Sequence, residues 1–282
     1  MKKRLALFWL AASAMAGASE PVAVFSAQEQ QRLLAAATPQ ADRGISAHEP
    51  VYFLLEDNWR GEGDSGLKFQ VSLKYRLFSP EEEKKPQWWE RVYFAYTQTS
   101  VMDIEAGSKP FRDSAYRPEV FWDQPDFSLL PSVQTLASMR AGIGHESNGR
   151  DGTDSRSINI AYVRPTFTFT TSQHGYVWSF APKLYAYLDR SDNPDIADYR
   201  GYGDFLVKLK KDDTWEYVLM LRKGMKAAYG STQMDVSYPF RGFLRNVNGY
   251  VYFQYFNGYG ETILDYNIKQ PSRIGLGLIV VR

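Results

Sequence analysis

The chain has 282 residues, a formal net charge of +1, 44% hydrophobic content and 15% aromatics. This is ample apolar material for one large β domain, and a balanced charge without a basic cluster interleaved with aromatics excludes a nucleic-acid partner. Cysteine is absent, which excludes disulfide scaffolds, cysteine-ligated metals and cysteine nucleophiles.

Lys2, Lys3 and Arg4 precede the apolar run LALFWLAASAMAGA, and Ala14, Ala16 and Ala18 offer small-residue cleavage sites. Residues 1–18 are therefore expected to be a signal peptide, and no later apolar run is long enough for a membrane helix. Residues 19–48, with a short helical stretch around 27–37, are expected to form a periplasmic extension ahead of a barrel domain over 49–282.

From Val51 onward the sequence breaks into segments of roughly ten residues with alternating character, the pattern of a transmembrane β-barrel. The clearest sets Leu67, Phe69, Val71, Leu73, Tyr75 and Leu77 against Lys68, Gln70, Ser72, Lys74 and Arg76. Strands are predicted near 50–56, 67–77, 91–100, 116–122, 138–147, 157–170, 176–188, 202–211, 214–222, 231–238, 248–256 and 272–281. The fold class is thus all-β, an antiparallel transmembrane barrel of about 12 strands. The 19 Tyr, 17 Phe and 7 Trp suit its aromatic girdles. If both chain ends lie in the periplasm, the connections 101–115, 148–156, 189–201, 223–230 and 257–271 face outward. The intervening connections around 79–90 and 123–137 are long for periplasmic turns.

One stretch places chemistry where a barrel should carry none. With period two, Met139, Ala141, Ile143, His145 and Ser147 share the apolar side of one strand. Asn159 falls on the apolar side of the next, with Ala161, Val163, Pro165, Phe167 and Phe169. A turn-rich loop joins the two into a hairpin, so His145, Ser147 and Asn159 converge at one end of the face. His145 and Ser147, two residues apart, have Cβ atoms ~7 Å apart, a gap that an imidazole and a hydroxyl close between them. Serine needs a base to take its proton, histidine is poised to do so near neutral pH, and an asparagine opposite fixes the imidazole tautomer without adding charge beside lipid. His48 and His174 lie in a terminal segment and a short turn, outside this constellation.

The run His145-Glu-Ser147-Asn-Gly-Arg150 followed by Ser155-Arg-Ser-Ile-Asn159 resembles the active-site hairpin of the outer membrane phospholipase A family. Tyr96-Thr-Gln98, Pro110-Phe-Arg112, Asn193-Pro-Asp195-Ile196, Gly258-Tyr-Gly260-Glu261 and Asp265-Tyr-Asn267 extend the likeness across the barrel. The resemblance implies a calcium-dependent outer-membrane enzyme hydrolysing sn-1 and sn-2 acyl esters of phospholipids and lysophospholipids, with Ser147 as nucleophile, His145 as base and Asn159 as orienter. It further implies an active site at the outer-leaflet end and a homodimer as the active form. The Ca²⁺ would be held by the Arg150 carbonyl, Ser155 and Ser108 of the partner subunit, and Gln98 would lie in the membrane-embedded dimer contact. Two features depart from the family. Gly152 stands where an acidic residue is expected, with Asp151 and Asp154 nearby, and the chain ends on Arg282 rather than an aromatic. A passive barrel, such as a porin or fatty-acid channel, and a soluble β-sandwich adhesin are the competing readings.

Overall fold

The computed structural model describes residues 44–58, 65–79, 87–105, 108, 111–127, 135–171, 176–211, 214–242 and 248–282. The expected signal peptide, the helical stretch at 27–37, His174 and most of the 79–90 connection lie outside the described residues. A short strand β1 (Ile45–Ala47) precedes twelve longer ones. These are β2 (Val51–Asn58), β3 (Gly66–Arg76), β4 (Val92–Asp103), β5 (Phe111–Phe127), β6 (Thr135–Ser147), β7 (Ser157–Thr171), β8 (Tyr176–Asp189), β9 (Gly203–Lys211), β10 (Glu216–Lys223), β11 (Gly230–Pro239), β12 (Tyr250–Gly258) and β13 (Gln270–Val281).

Every strand from β2 to β13 pairs antiparallel with its neighbours in sequence, and β13 pairs with β2 through Leu276–Leu55 and Leu278–Phe53. The sheet therefore closes into a twelve-stranded barrel. Closure leaves no strand edge, the condition for β structure to sit in lipid.

All twelve predicted strands are present, and the sequence-derived face assignment holds along them. On β3, Lys68, Gln70, Ser72 and Lys74 are buried inside, whereas Val71 and Tyr75 are exposed outside. The same outward row carries Phe53, Leu55 (62% exposed), Ile143 (58%), Val163, Leu184, Phe205, Tyr217, Leu221, Phe253 and Leu276 (62%). An aliphatic and aromatic belt of this kind around a closed sheet has no partner but lipid. Strand ends differ from expectation where polar residues interrupt the alternation. β5 runs on to Phe127 and starts at Phe111, which shortens the flanking connections to 104–110 and 128–134. β1, whose residues were assigned to the extension, lies against β3 through Ile45–Tyr75 and Ala47–Leu73. The break between β1 and β2 drops His48 into the interior, where it stacks on Phe121 and sits 2.5 Å from Glu119.

The interior is filled by paired charges. Lys68 Nζ lies 3.3 Å from Glu56, 3.1 Å from Glu261 and 2.8 Å from Gln254 Oε1. Arg222 meets Asp204 at 2.7 Å, Arg200 meets Glu146 at 3.1 Å, and Arg164 meets Glu49 at 3.2 Å. At the end carrying the β6–β7 loop, two connections fold over the mouth. Helix α1 (Ile196–Arg200) and residues 259–269 contribute Ile196, Ile263 and Tyr266 to an apolar cluster with Ala115 and Ile158. This cluster takes in Ile196 of the Asn193–Ile196 motif and Tyr266 of the Asp265–Asn267 motif.

Two outcomes follow from this architecture. Because the chain has no cysteine, single spin-labelled cysteines on β3 report alone. Labels at Phe69, Val71 and Leu73 should show high oxygen accessibility in bilayers and those at Gln70 and Ser72 low, whereas a flat profile along the strand would contradict the barrel. Lys68→Ala, which leaves Glu56 and Glu261 facing each other, should destabilise the barrel by about 3–5 kcal/mol in urea unfolding.

Candidate active site

β6 and β7 pair residue for residue from Thr135–Phe169 to Ser147–Ser157, which sets His145 directly opposite Asn159. His145 Nδ1 and Asn159 Oδ1 are 2.8 Å apart. An amide oxygen accepts only, so Nδ1 carries the proton and donates, leaving Nε2 with its lone pair. Ser147 lies two residues along the same outward face. Glu146, between them, points inward to Arg200 and anchors the strand end to α1. The hairpin thus brings together the three residues expected from the sequence, on the lipid-facing side of the barrel.

The turn after Ser147 is built by a residue whose role the sequence reading missed. Asn148 is buried, accepts from the Arg156 and Arg150 amides at 3.0 and 3.3 Å, and donates to the Asp154 carbonyl at 2.8 Å. Its position between a strand end and a glycine is the available signal for such a side chain-closed turn. Gly149 and Gly152 have φ of +66° and +62°. The backbone at 152 favours glycine, which accounts for the absence of the acidic residue expected there.

Arg150, Asp151 and Asp154, with Phe111 and Gly149, line an open hollow of about 880 Å³ at the loop that follows Ser147 in the chain. The Arg150 guanidinium reaches Asp154 at 3.7 Å and the Arg112 carbonyl. Ser155 and Ser157 donate to Asp192 at 3.2 and 2.8 Å, a carboxylate that the sequence reading also missed. Ser108 is exposed and lies in the β4–β5 connection, away from Arg150 and Ser155 in the chain but at the same end of the barrel. Among the described residues no three His, Asp or Glu side chains converge on a metal position.

Gln98 lies on the outward face of β4, and the register carries one row across the strands from Val71 through Gln98 and Tyr116 to Ser147. Two strand spacings, about 10 Å, separate Gln98 from Ser147. Its amide is already engaged: Tyr96 OH donates to Oε1 and Nε2 donates to Ser100 Oγ, both at 3.1 Å.

Known proteins resemble this chain. The chain is 34% identical over 262 residues to a putative phospholipase A1 of Neisseria meningitidis, covering 84% of this chain and 65% of that one. It is 32% identical over 227 residues to phospholipase A1 of Klebsiella pneumoniae, covering 76% of this chain and 70% of that one. Among solved structures, Escherichia coli outer membrane phospholipase A with an asparagine-to-alanine active-site change superposes with a TM-score of 0.70 over 87% of this chain and 94% of that chain, at 22% identity. The calcium-bound dimer of Salmonella typhi outer membrane phospholipase gives 0.70 over 88% and 96%, also at 22% identity. The family model described as Phospholipase A1 matches residues 34–280, nearly the whole barrel and its leading segment, so the chain belongs to the phospholipase A1 family, the outer membrane phospholipases that its hairpin resembles.

Proposed function

We propose that this chain is a calcium-dependent outer-membrane phospholipase that hydrolyses sn-1 and sn-2 acyl esters of glycerophospholipids and lysophospholipids, with Ser147 as nucleophile, His145 as base and Asn159 as orienter. The observation that carries the reading is the 2.8 Å contact between His145 Nδ1 and Asn159 Oδ1 on the lipid face, two residues from Ser147 on the same side of the strand. An acyl chain in the bilayer can reach that face without crossing the charged interior. The passive-channel alternative would have to pass the ion pairs that cross that interior, such as Lys68 with Glu56 and Glu261 and Arg222 with Asp204. The domain division, with a cleaved signal peptide at 1–18, an extension at 19–48 and the barrel at 49–282, belongs to the same proposal, as does placement of the site at the outer-leaflet end.

In the reaction, His145 Nε2 takes the Ser147 hydroxyl proton as Oγ attacks the ester carbonyl carbon. The same imidazolium returns the proton to the departing lysolipid oxygen, leaving the acyl group on Ser147. His145 then takes a proton from water, the hydroxide attacks the acyl carbonyl, and Ser147 regains its proton as the fatty acid leaves. Asn159 holds the imidazole in the one tautomer that can do this.

The donor set fits Ca²⁺, which accepts hard oxygen ligands and water. The Arg150 carbonyl and the Ser155 hydroxyl would hold it with Ser108 of the partner subunit, so the set is incomplete in one chain. When bound, the cation supplies an electrophile for the oxygen of the ester. The Salmonella typhi homologue, a dimer with bound calcium, supports this reading. Gln98 would contribute to the membrane-embedded face of the dimer.

Ser147→Ala and His145→Ala should each lower fatty-acid release from mixed micelles by at least about 1000-fold while the barrel remains folded and heat-modifiable. Asn159→Ala should lose less, since nucleophile and base remain. Retention of near-normal turnover by Ser147→Ala would refute the assignment. Chelation of Ca²⁺ should abolish release, and added Ca²⁺ should raise the cross-linked dimer yield, because two ligands of a shared site promote each other's binding. Gln98→Ala should weaken dimer yield only modestly, by about 0.5–2 kcal/mol. Full activity in a demonstrably monomeric sample would remove the shared-site mechanism and leave the triad intact.

A further inference from the structure

β7 and β8 pair in strict register from Val163–Leu184 to Ile160–Tyr187, with Ala161 facing Ala186 on the outer side. One more step would set Asn159 against Leu188. Instead the register shifts between Ile160 and Asn159, and Asn159 lies opposite Asp189. Leu188 is the extra residue of a β-bulge, a device that re-aims a side chain. Here it replaces an aliphatic neighbour of the Asn159 amide with a carboxylate.

Asp189 is exposed, ends β8, and is held by the Ser191 backbone N–H, which donates to Oδ1 at 3.0 Å. The bulge sets it opposite Asn159 across the ladder, within interaction range of the Asn159 side chain. An asparagine amide can present either end to a histidine. With its nitrogen towards His145 it would demand an acceptor at Nδ1 and move the proton to Nε2, which disables the base. A carboxylate on the far side accepts only from the NH₂ end, so the orientation with the oxygen towards His145 is the one satisfied on both sides.

We propose that Asp189 is a positioning residue for ester hydrolysis: aimed by the β8 bulge, its carboxylate fixes and polarises the Asn159 amide, so that a negative charge acts on His145 through one neutral group. The proposal rests on the Ser147–His145–Asn159 assignment above. A charged acceptor strengthens the bond it receives, and polarisation carries along a hydrogen-bonded chain. The placement also resolves a conflict. A carboxylate at position 159 would sit against lipid, where ionisation is costly, whereas one at the exposed end of β8 stays ionised in water.

The test uses the full chain refolded in detergent with Ca²⁺, comparing wild type, Asp189→Asn, Asp189→Ala, Asn159→Ala, Asn159→Ala/Asp189→Ala and Ser147→Ala. The readouts are kcat, KM and the rate at which an alkylsulfonyl fluoride modifies Ser147. Asp189→Ala should lower kcat and the sulfonylation rate about tenfold with KM unchanged. Asp189→Asn, which keeps an acceptor without the charge, should lose less. In the Asn159→Ala background, removing Asp189 should cost nothing further. Unchanged kcat and sulfonylation in Asp189→Ala, a change confined to KM, or an equal loss in both backgrounds would overturn the proposal while an inactive Ser147→Ala keeps the triad. An active Ser147→Ala would overturn both.

Discussion

The pairing of β13 with β2 is the constraint on which the rest depends. In lipid an unpaired backbone N–H or C=O has no water to turn to, so the sheet is stable there only as a closed ladder. Closure in turn fixes register, because a slip of one residue anywhere would send Lys68 or Glu56 into lipid and Phe69 into the charged interior. The position of the proposed catalytic side chains is inherited from that register. Ser147 faces outward because Tyr116 on β5 and Ser157 on β7 hold it there.

The interior supports the site by a second constraint. Each charge taken from water must be paired, and Lys68 among Glu56, Glu261 and Gln254 shows how densely this is done. In the run His145-Glu146-Ser147 the period of two divides one motif between these worlds. The histidine and serine face lipid, and the glutamate between them is tied inward to Arg200 at 3.1 Å. Arg200 is in turn fixed on α1, packed over the barrel mouth through Ile196 and Ile263. The outward pair therefore stands on a wall braced from behind.

The twelve strands were legible because alternation against two immiscible surroundings is a strong pattern, and His145, Ser147 and Asn159 were legible because they break it. What escaped depends on departures from regularity. β1 is too short to carry a period, and Gln124 and Pro125 near the end of β5 look like a loop although Gln124 still pairs with Met139 and the strand resumes at Phe127 past an irregularity that holds Pro125. The inward fold of 259–269 rests on contacts with residues far away in sequence, such as Asp113 accepting from the Leu264 amide. Asp189 could not be placed by parity, since a one-residue bulge decides whether it or Leu188 meets Asn159. Gly152 was noticed as a missing acid, but its positive φ supplies the reason.

The same outward row bears on how two copies could associate. Polar side chains facing lipid are costly when bare, yet Gln98 is not bare, because Tyr96 and Ser100 occupy both ends of its amide. Each end of the amide keeps capacity for one further bond, so a second chain gains only a modest contact there, about 0.5–2 kcal/mol. Nor does the outward belt of Phe53, Val71 and Phe94 drive association, since lipid solvates it as well as another barrel does. An interface on this face is therefore weak unless something else favours it. The proposed cation ligands at Arg150 and Ser155 lie at one end of that side, and a shell completed there by a residue of the second chain would couple cation binding to pairing.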